Sequence, residues 1–167
     1  MKKMTEENLK ASFAGESQAH VKYLAFAERA ERDGLHNVAR LFRAASFAEQ
    51  VHATKHLQAL QGIGSNVDNL AAAIAGETFE VEEMYAAYTV VAEMQGEAAA
   101  LKSMQRALEA EKVHAALYSR ARESAVAGKD AEIGQVVVCQ ACGYAAEGEV
   151  PDKCPLCGAP RERFSKF

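Results

Sequence analysis

The chain is 167 residues long, 49% hydrophobic and 25% charged, with three prolines and no tryptophan. That balance excludes wholesale disorder. Apolar runs such as Ala71 to Ala75 fall far short of the ~20 residues of a membrane span, and a net charge of −4 offers no basic footprint for nucleic acid. The opening MKKMTEENLK reaches acidic residues before any apolar core, so it is not expected to act as a secretion signal.

Residues 1–127 read as helix almost throughout, rich in Ala, Glu, Lys, Gln, Leu and Met and free of proline. Thr5 followed by Glu6, Glu7 and Asn8 predicts an N-terminal cap. Breaks are expected at Asp33-Gly34, Gly62-Ile63-Gly64 and Gln95-Gly96, with Gly128 closing the last segment. Four helices follow, each of roughly 25–30 residues, with short joins that make neighbours antiparallel. Apolar positions keep helical spacing: Leu9, Phe13, Tyr23 and Ala27, then Leu70, Ile74, Met84 and Tyr88, then Leu101, Met104, Leu108 and Tyr118.

The two halves repeat. Asn8 to Glu16 matches Asn69 to Glu77 at an offset of 61, whereas Tyr23, Gly34, Glu49 and His52 match Tyr85, Gly96, Glu111 and His114 at an offset of 62. One residue has therefore entered the second half between Glu77 and Tyr85. Two helical hairpins of common design, related by approximate twofold symmetry, are expected.

Beyond Gly128 the composition changes. A polar linker to Gln135 precedes the β-branched run Val136-Val137-Val138, typical of a strand. The predicted organisation is therefore a helical domain over residues 1–135, linker included, and a small second domain over residues 136–167. The second is charge-balanced, with four basic and four acidic side chains, so the whole negative excess lies in the first, with fifteen against nineteen.

Glu49-Gln50-Val51-His52 and Glu111-Lys112-Val113-His114 each set a Glu and a His three residues apart on one helical face. Glu16 and Glu77 add one carboxylate from each remaining helix. A Glu from two helices and Glu-x-x-His from two others is the ligand pattern of dinuclear carboxylate bundles. Measured from the turns, all four carboxylates lie at similar depth, roughly 22–27 Å at the helical rise. A solvated set of charges would need no such agreement, and unpaired carboxylates are costly to bury. A lone Glu-x-x-His is commonly a surface accident; two of them, tied by a repeat, point to a metal site. Glu80, one turn beyond Glu77, has no acidic counterpart in the first half, where Ala19 and His20 stand, so the two metals should be inequivalent. Glu82 and Glu83 read as solvated and His36 as exposed. His20 and His56 border the site without being expected ligands. Tyr23 and Tyr85, two turns beyond Glu16 and Glu77, suit either core aromatics or phenols that hydrogen-bond to ligand carboxylates.

Cys139-x-x-Cys142-Gly143 and Cys154-Pro-x-Cys157-Gly158 form two knuckles that use every cysteine in the chain. Four thiolates suit a tetrahedral zinc or iron ion, and disulfides are the weaker reading. The glycines permit a left-handed turn that lets backbone N–H groups approach sulfur. At about 32 residues the module is expected to need its metal to fold.

Together these residues resemble the rubrerythrin family. The likeness covers nearly the whole chain: Phe13-Ala14-Gly15-Glu16-Ser17-Gln18-Ala19, both Glu-x-x-His pairs, Ala75-Gly76-Glu77 with Glu80 and Met84-Tyr85, then knuckles that look like those of rubredoxin. The resemblance implies a mainly α fold, an antiparallel ferritin-like four-helix bundle followed by a rubredoxin-like β module. It implies two non-haem irons held by Glu16, Glu49, His52, Glu77, Glu80, Glu111 and His114. It tips the Cys139, Cys142, Cys154 and Cys157 site toward iron, with zinc left open by spacing. The implied function is that of a cytoplasmic di-iron peroxidase of anaerobic or microaerophilic cells, which reduces hydrogen peroxide to water and defends against oxidative stress. Electrons would come through the thiolate iron from rubredoxin or a similar donor and an NADH-dependent reductase. By position, Glu80 and His52 would be the pair that the family exchanges on one iron with redox state, and Tyr23 and Tyr85 fall where it places tyrosines beside the ligands. The short join from Gly62 to Asp68 resembles compact members and leaves helix exchange between subunits open.

One expectation is geometric. Glu111 lies sixteen residues before Ala127, ~24 Å along a helix, so the thiolate iron should start far from its own carboxylate site. A head-to-tail homodimer would bring one subunit's module beside the other's bundle. The rival functions are ferroxidase or iron detoxification, and a non-enzymatic metal-binding protein with a zinc ribbon for partner docking.

Overall fold

A computed structural model describes all 167 residues. Its helices are α1 (Lys3–Arg32), α2 (His36–Ala59), α3 (Asn66–Phe79), α4 (Tyr85–Met94) and α5 (Ala98–Val126), and its strands are β1 (Val136–Cys139), β2 (Ala145–Glu147) and β3 (Phe164–Lys166). A π-helical segment, Glu80–Met84, joins α3 to α4 without a turn, so the helices make four long rods, as the breaks in the sequence predict. No helix is long and apolar enough to cross a membrane.

The breaks work as expected at three of four places. Gly34, Gly96 and Gly128 sit at φ of +75°, +71° and +70°, a left-handed conformation that glycine adopts without steric cost and that ends a helix. At the second break the left-handed residue is Gln61, at φ +57°, not a glycine. A Cβ on Gly62 would meet the tip of the Leu57 side chain, which would have to turn aside. One helix start differs from expectation. Thr5 lies inside α1, which begins at Lys3 with no side-chain cap. Ser65 caps α3 through a reciprocal box with Asp68, satisfying backbone donors that the helix start leaves free.

The chain divides into two compact units, residues 1–64 and 65–167. The first is the α1–α2 hairpin. Its buried residues are Ala27, Ala30, Ala39, Ser46 and Ala53, all small, which lets the two backbones approach closely. Tyr23, Phe26 and Phe42 form an aromatic cluster with ring centroids 5.5–6.2 Å apart. Near the turn, Glu31 joins the helices by accepting from Arg43 and pairing with the exposed His36.

The second unit holds α3, the π segment, α4, α5 and the strands. The extra residue between Glu77 and Tyr85 is absorbed by the π segment, where the Tyr85 N–H reaches back five residues to the Glu80 carbonyl. A π turn accommodates one inserted residue without breaking the rod. The sheet has order β2-β1-β3, both pairings antiparallel, around buried Val137, Cys139, Ala145, Val150 and Cys154. The module leans on α5 through a charge-assisted hydrogen bond from Arg120 to Glu147, whose other oxygen accepts from the Gly134 N–H.

Candidate metal centres

Three groups of side chains converge closely enough to hold an ion, their ligand atoms lying within 4.8 Å of one another: Glu16, Glu49 and His52; Glu77, Glu111 and His114; and the four cysteines. The first lies within the hairpin unit, the other two within the second unit. Helical spacing builds the carboxylate groups. Glu49 and His52 share a face of α2, and His52 Nδ1 stands 3.0 Å from Glu49 Oε2 and 3.9 Å from Glu16 Oε1 across the hairpin. Glu111 and His114 share a face of α5, with Nδ1 to Oε2 at 2.6 Å.

The two carboxylate groups differ electrically. The His52 hydrogen bond, aided by Glu16, holds the Glu49 carboxyl below the usual carboxylate range. Burial, followed by the hydrogen bond and charge of Glu111, raises Glu77 to about 7. Glu80 stands outside the three-residue group, yet burial and the nearby Glu111 raise its pKa too. Tyr85 belongs to the same neighbourhood, since burial and the charges of Glu80, Glu111 and Glu77 keep its phenol protonated. Glu77 and Glu80 thus hold their protons beside Glu111, in a crowded cluster of acids of the kind that a cation stabilises.

The thiol quartet fits a tetrahedral ion. Cys139 and Cys157 sulfurs are 3.7 Å apart and Cys142 and Cys154 sulfurs 3.6 Å. Bonds of ~2.3 Å to a central ion give tetrahedron edges of about 3.8 Å. Gly143 and Gly158, at φ +80° and +74°, make the expected left-handed turns, and the N–H groups of Ala141, Tyr144 and Ala159 point at sulfur. Burial lifts the Cys142 thiol to about 12. For Cys157 burial is outweighed by the Ala159 N–H and the three other thiols, and its pKa falls to about 7, so it ionises before Cys139 and Cys142.

The separation expected between the thiolate and carboxylate sites is not found. The chain reverses after α5, and the Gly143 carbonyl, next to Cys142, accepts a hydrogen bond of 3.3 Å from His114 Nε2. Distance along the helix is thus no reason for a second subunit. No side-chain pattern announced this contact, because its acceptor is a backbone carbonyl. His20 bonds across the hairpin to Ser46. Glu82, Glu83 and His36 are exposed, as expected.

The fold and its donor sets define a class: a metal-binding carboxylate–histidine helical protein with an appended thiolate module. Comparison narrows it. The rubrerythrin family model matches residues 7–122 and the model described as "Rubrerythrin, rubredoxin-like domain" matches residues 138–165. The chain belongs to the rubrerythrin family, whose members are oxidoreductases. It is 37% identical to rubrerythrin-2 of Clostridium acetobutylicum over 98% of this chain and 97% of that one. It is 36% identical to nigerythrin of Nitratidesulfovibrio vulgaris, over 98% and 86% respectively. A solved structure of nigerythrin, fully reduced and all ferrous, aligns at a TM-score of 0.57 and 34% identity over 98% of this chain and 86% of that one. The mainly α, ferritin-like class with a rubredoxin-like module follows, and the donors suit a di-iron site and a four-cysteine iron site.

Proposed function

We propose that the chain is a peroxidase that reduces hydrogen peroxide to water, with electrons delivered through its thiolate module. The ligands in this reading are Glu16, Glu49, His52, Glu77, Glu80, Glu111 and His114 for two irons, and Cys139, Cys142, Cys154 and Cys157 for a third. The two domains would be residues 1–135 and 136–167. Iron bound among the carboxylates would supply electrons and Lewis acidity for cleaving the O–O bond.

The residues do the rest. The carboxylates would offset the cationic charge, and the hydrogen bond from His114 Nε2 to Gly143 fixes the ring plane with Nδ1 beside Glu111 Oε2, where the two could share a metal. Tyr85 keeps its hydroxyl hydrogen for a ligand carboxylate. Glu77, at about 7, carries a proton near neutrality that it gives up when a cation arrives.

The observation that carries the proposal is the 3.3 Å hydrogen bond between the Cys142–Gly143 knuckle and His114. An electron carrier one hydrogen bond from a redox site has a purpose in a peroxidase and little in a ferroxidase or a docking ribbon. Stopped-flow reoxidation of the fully reduced protein tests it. Reaction much faster with peroxide than with oxygen is expected, and the reverse would favour the ferroxidase. An intense red ferric thiolate spectrum with three irons per chain is expected, whereas one zinc per chain would remove the relay. Rubredoxin with its NADH-dependent reductase is the proposed donor system and the cytoplasm the proposed location. A homodimer is supported by apolar side chains left on the hairpin surface, Leu41 68% and Phe47 66% exposed, and light scattering in solution would test it.

A further inference from the structure

Ser46 is the one buried polar side chain of the helical hairpin, 1% exposed. It occupies the middle of the buried stripe of α2, Ala39, Ser46 and Ala53, whose members recur every seven residues. A seam lined by alanine allows close packing but resists sliding weakly, because each turn offers the same small surface. A single polar residue in such a stripe is a well-attested device for setting register.

The partner of Ser46 is His20 on α1, and the pairing is reciprocal. The Ser46 hydroxyl donates to the His20 carbonyl at 2.9 Å. His20 Nδ1 donates back to the Ser46 carbonyl at 2.9 Å and stands 2.9 Å from the hydroxyl oxygen. The hydroxyl has one hydrogen, already given to the carbonyl, so Nδ1 carries the other. A slip of one turn, ~5.4 Å, would strand a hydroxyl and an imidazole N–H between the helices without partners, which buried polar groups rarely tolerate.

Glu16 lies one turn before His20 on α1, and Glu49 lies one turn after Ser46 on the antiparallel α2. Both are displaced from the pair in the same direction along the hairpin, so its register decides whether Glu16 meets Glu49 and His52. The same slip would carry Glu16 past them. We propose that His20 and Ser46 form a register pin, a positioning pair that holds Glu16 against Glu49 and His52. The inference rests on reading that triad as metal ligands. Neither member of the pin need touch the metal.

Cobalt(II) added to the metal-free full-length chain tests this, because thiolate charge-transfer bands report the cysteine site and weak visible bands report the carboxylate–histidine sites. Ser46→Ala and His20→Leu should weaken cobalt binding at the carboxylate sites by about 10–100-fold, with the cysteine bands and far-UV helix signal unchanged. His20→Asn, whose amide N–H falls near the place of Nδ1–H, should restore most of the affinity and the wild-type band shape. Wild-type affinity in Ser46→Ala overturns the pin. So does a loss that tracks loss of helix, or a His20→Asn protein as weak as His20→Leu. A wild-type chain that takes cobalt only at its cysteines refutes the metal reading itself, and the pin with it.

Discussion

Among single residues, Glu77 and Cys157 set how the metal-free protein handles protons. Glu77 titrates near 7 in the folded chain against an ordinary value of 4.5. The folded state therefore keeps a proton there that the unfolded chain has already released, so stability falls as pH rises through that window. The melting temperature of the metal-free protein should decline from about pH 5 to about pH 8, and Glu77→Gln should flatten that decline. Added ferrous iron should reverse it, releasing a proton on binding and gaining affinity up to neutral pH. Calorimetry in buffers of different ionisation enthalpy counts that proton. Gly158, at φ +74°, presents the Ala159 N–H to Cys157. Gly158→Ala forces a side chain into left-handed geometry at a cost of ~1–2 kcal/mol, and it should release the thiolate metal at lower temperature, read from the visible band.

The elements place these groups. The π segment Glu80–Met84 is where the second half of the internal repeat gained a residue, and it carries Glu80. Deleting Val81 should return the rod to regular α-helix and leave its far-UV signal intact. Glu77 and Tyr85 would then lie seven residues apart, in phase as Glu16 and Tyr23 are, while Glu80 would lose the widened turn that carries it, and metal binding should weaken by tenfold or more, measured by titration. The small-residue seam of α1 and α2 makes a separate prediction. Ala53 is buried in it, so Ala53→Leu should overpack the hairpin and destabilise it by about 1–3 kcal/mol in urea unfolding.

For the whole molecule the question is which parts need metal. Strands of four, three and three residues with a handful of buried side chains are too little core for a free-standing fold. Stripping the thiolate metal with a chelator under reducing conditions should abolish the module's ordered sheet and leave the helical signal nearly whole. Amide exchange would show protection lost over residues 136–167 and retained in the helices. If the helices melt as well, the module is also a structural keystone for the bundle.

Much of this was legible from residues alone, for reasons that are local. Helix periodicity, left-handed glycines, Glu-x-x-His on one face and paired cysteine knuckles all follow from spacing along a chain of known rise, and so did the one-residue insertion, though its form as a π turn was not. Ser46 left a faint signal in its place among alanines seven residues apart, and Ser65 with Asp68 spells a capping box in the sequence itself. Tertiary structure decided what depends on the chain meeting itself again far along the sequence. The Gly143 carbonyl against His114, and His20 against Ser46, join positions 29 and 26 residues apart. Counting helical rise predicted distance where the linker after α5 supplies return, because rise measures a path along one rod and says nothing of the direction the backbone takes once that rod ends.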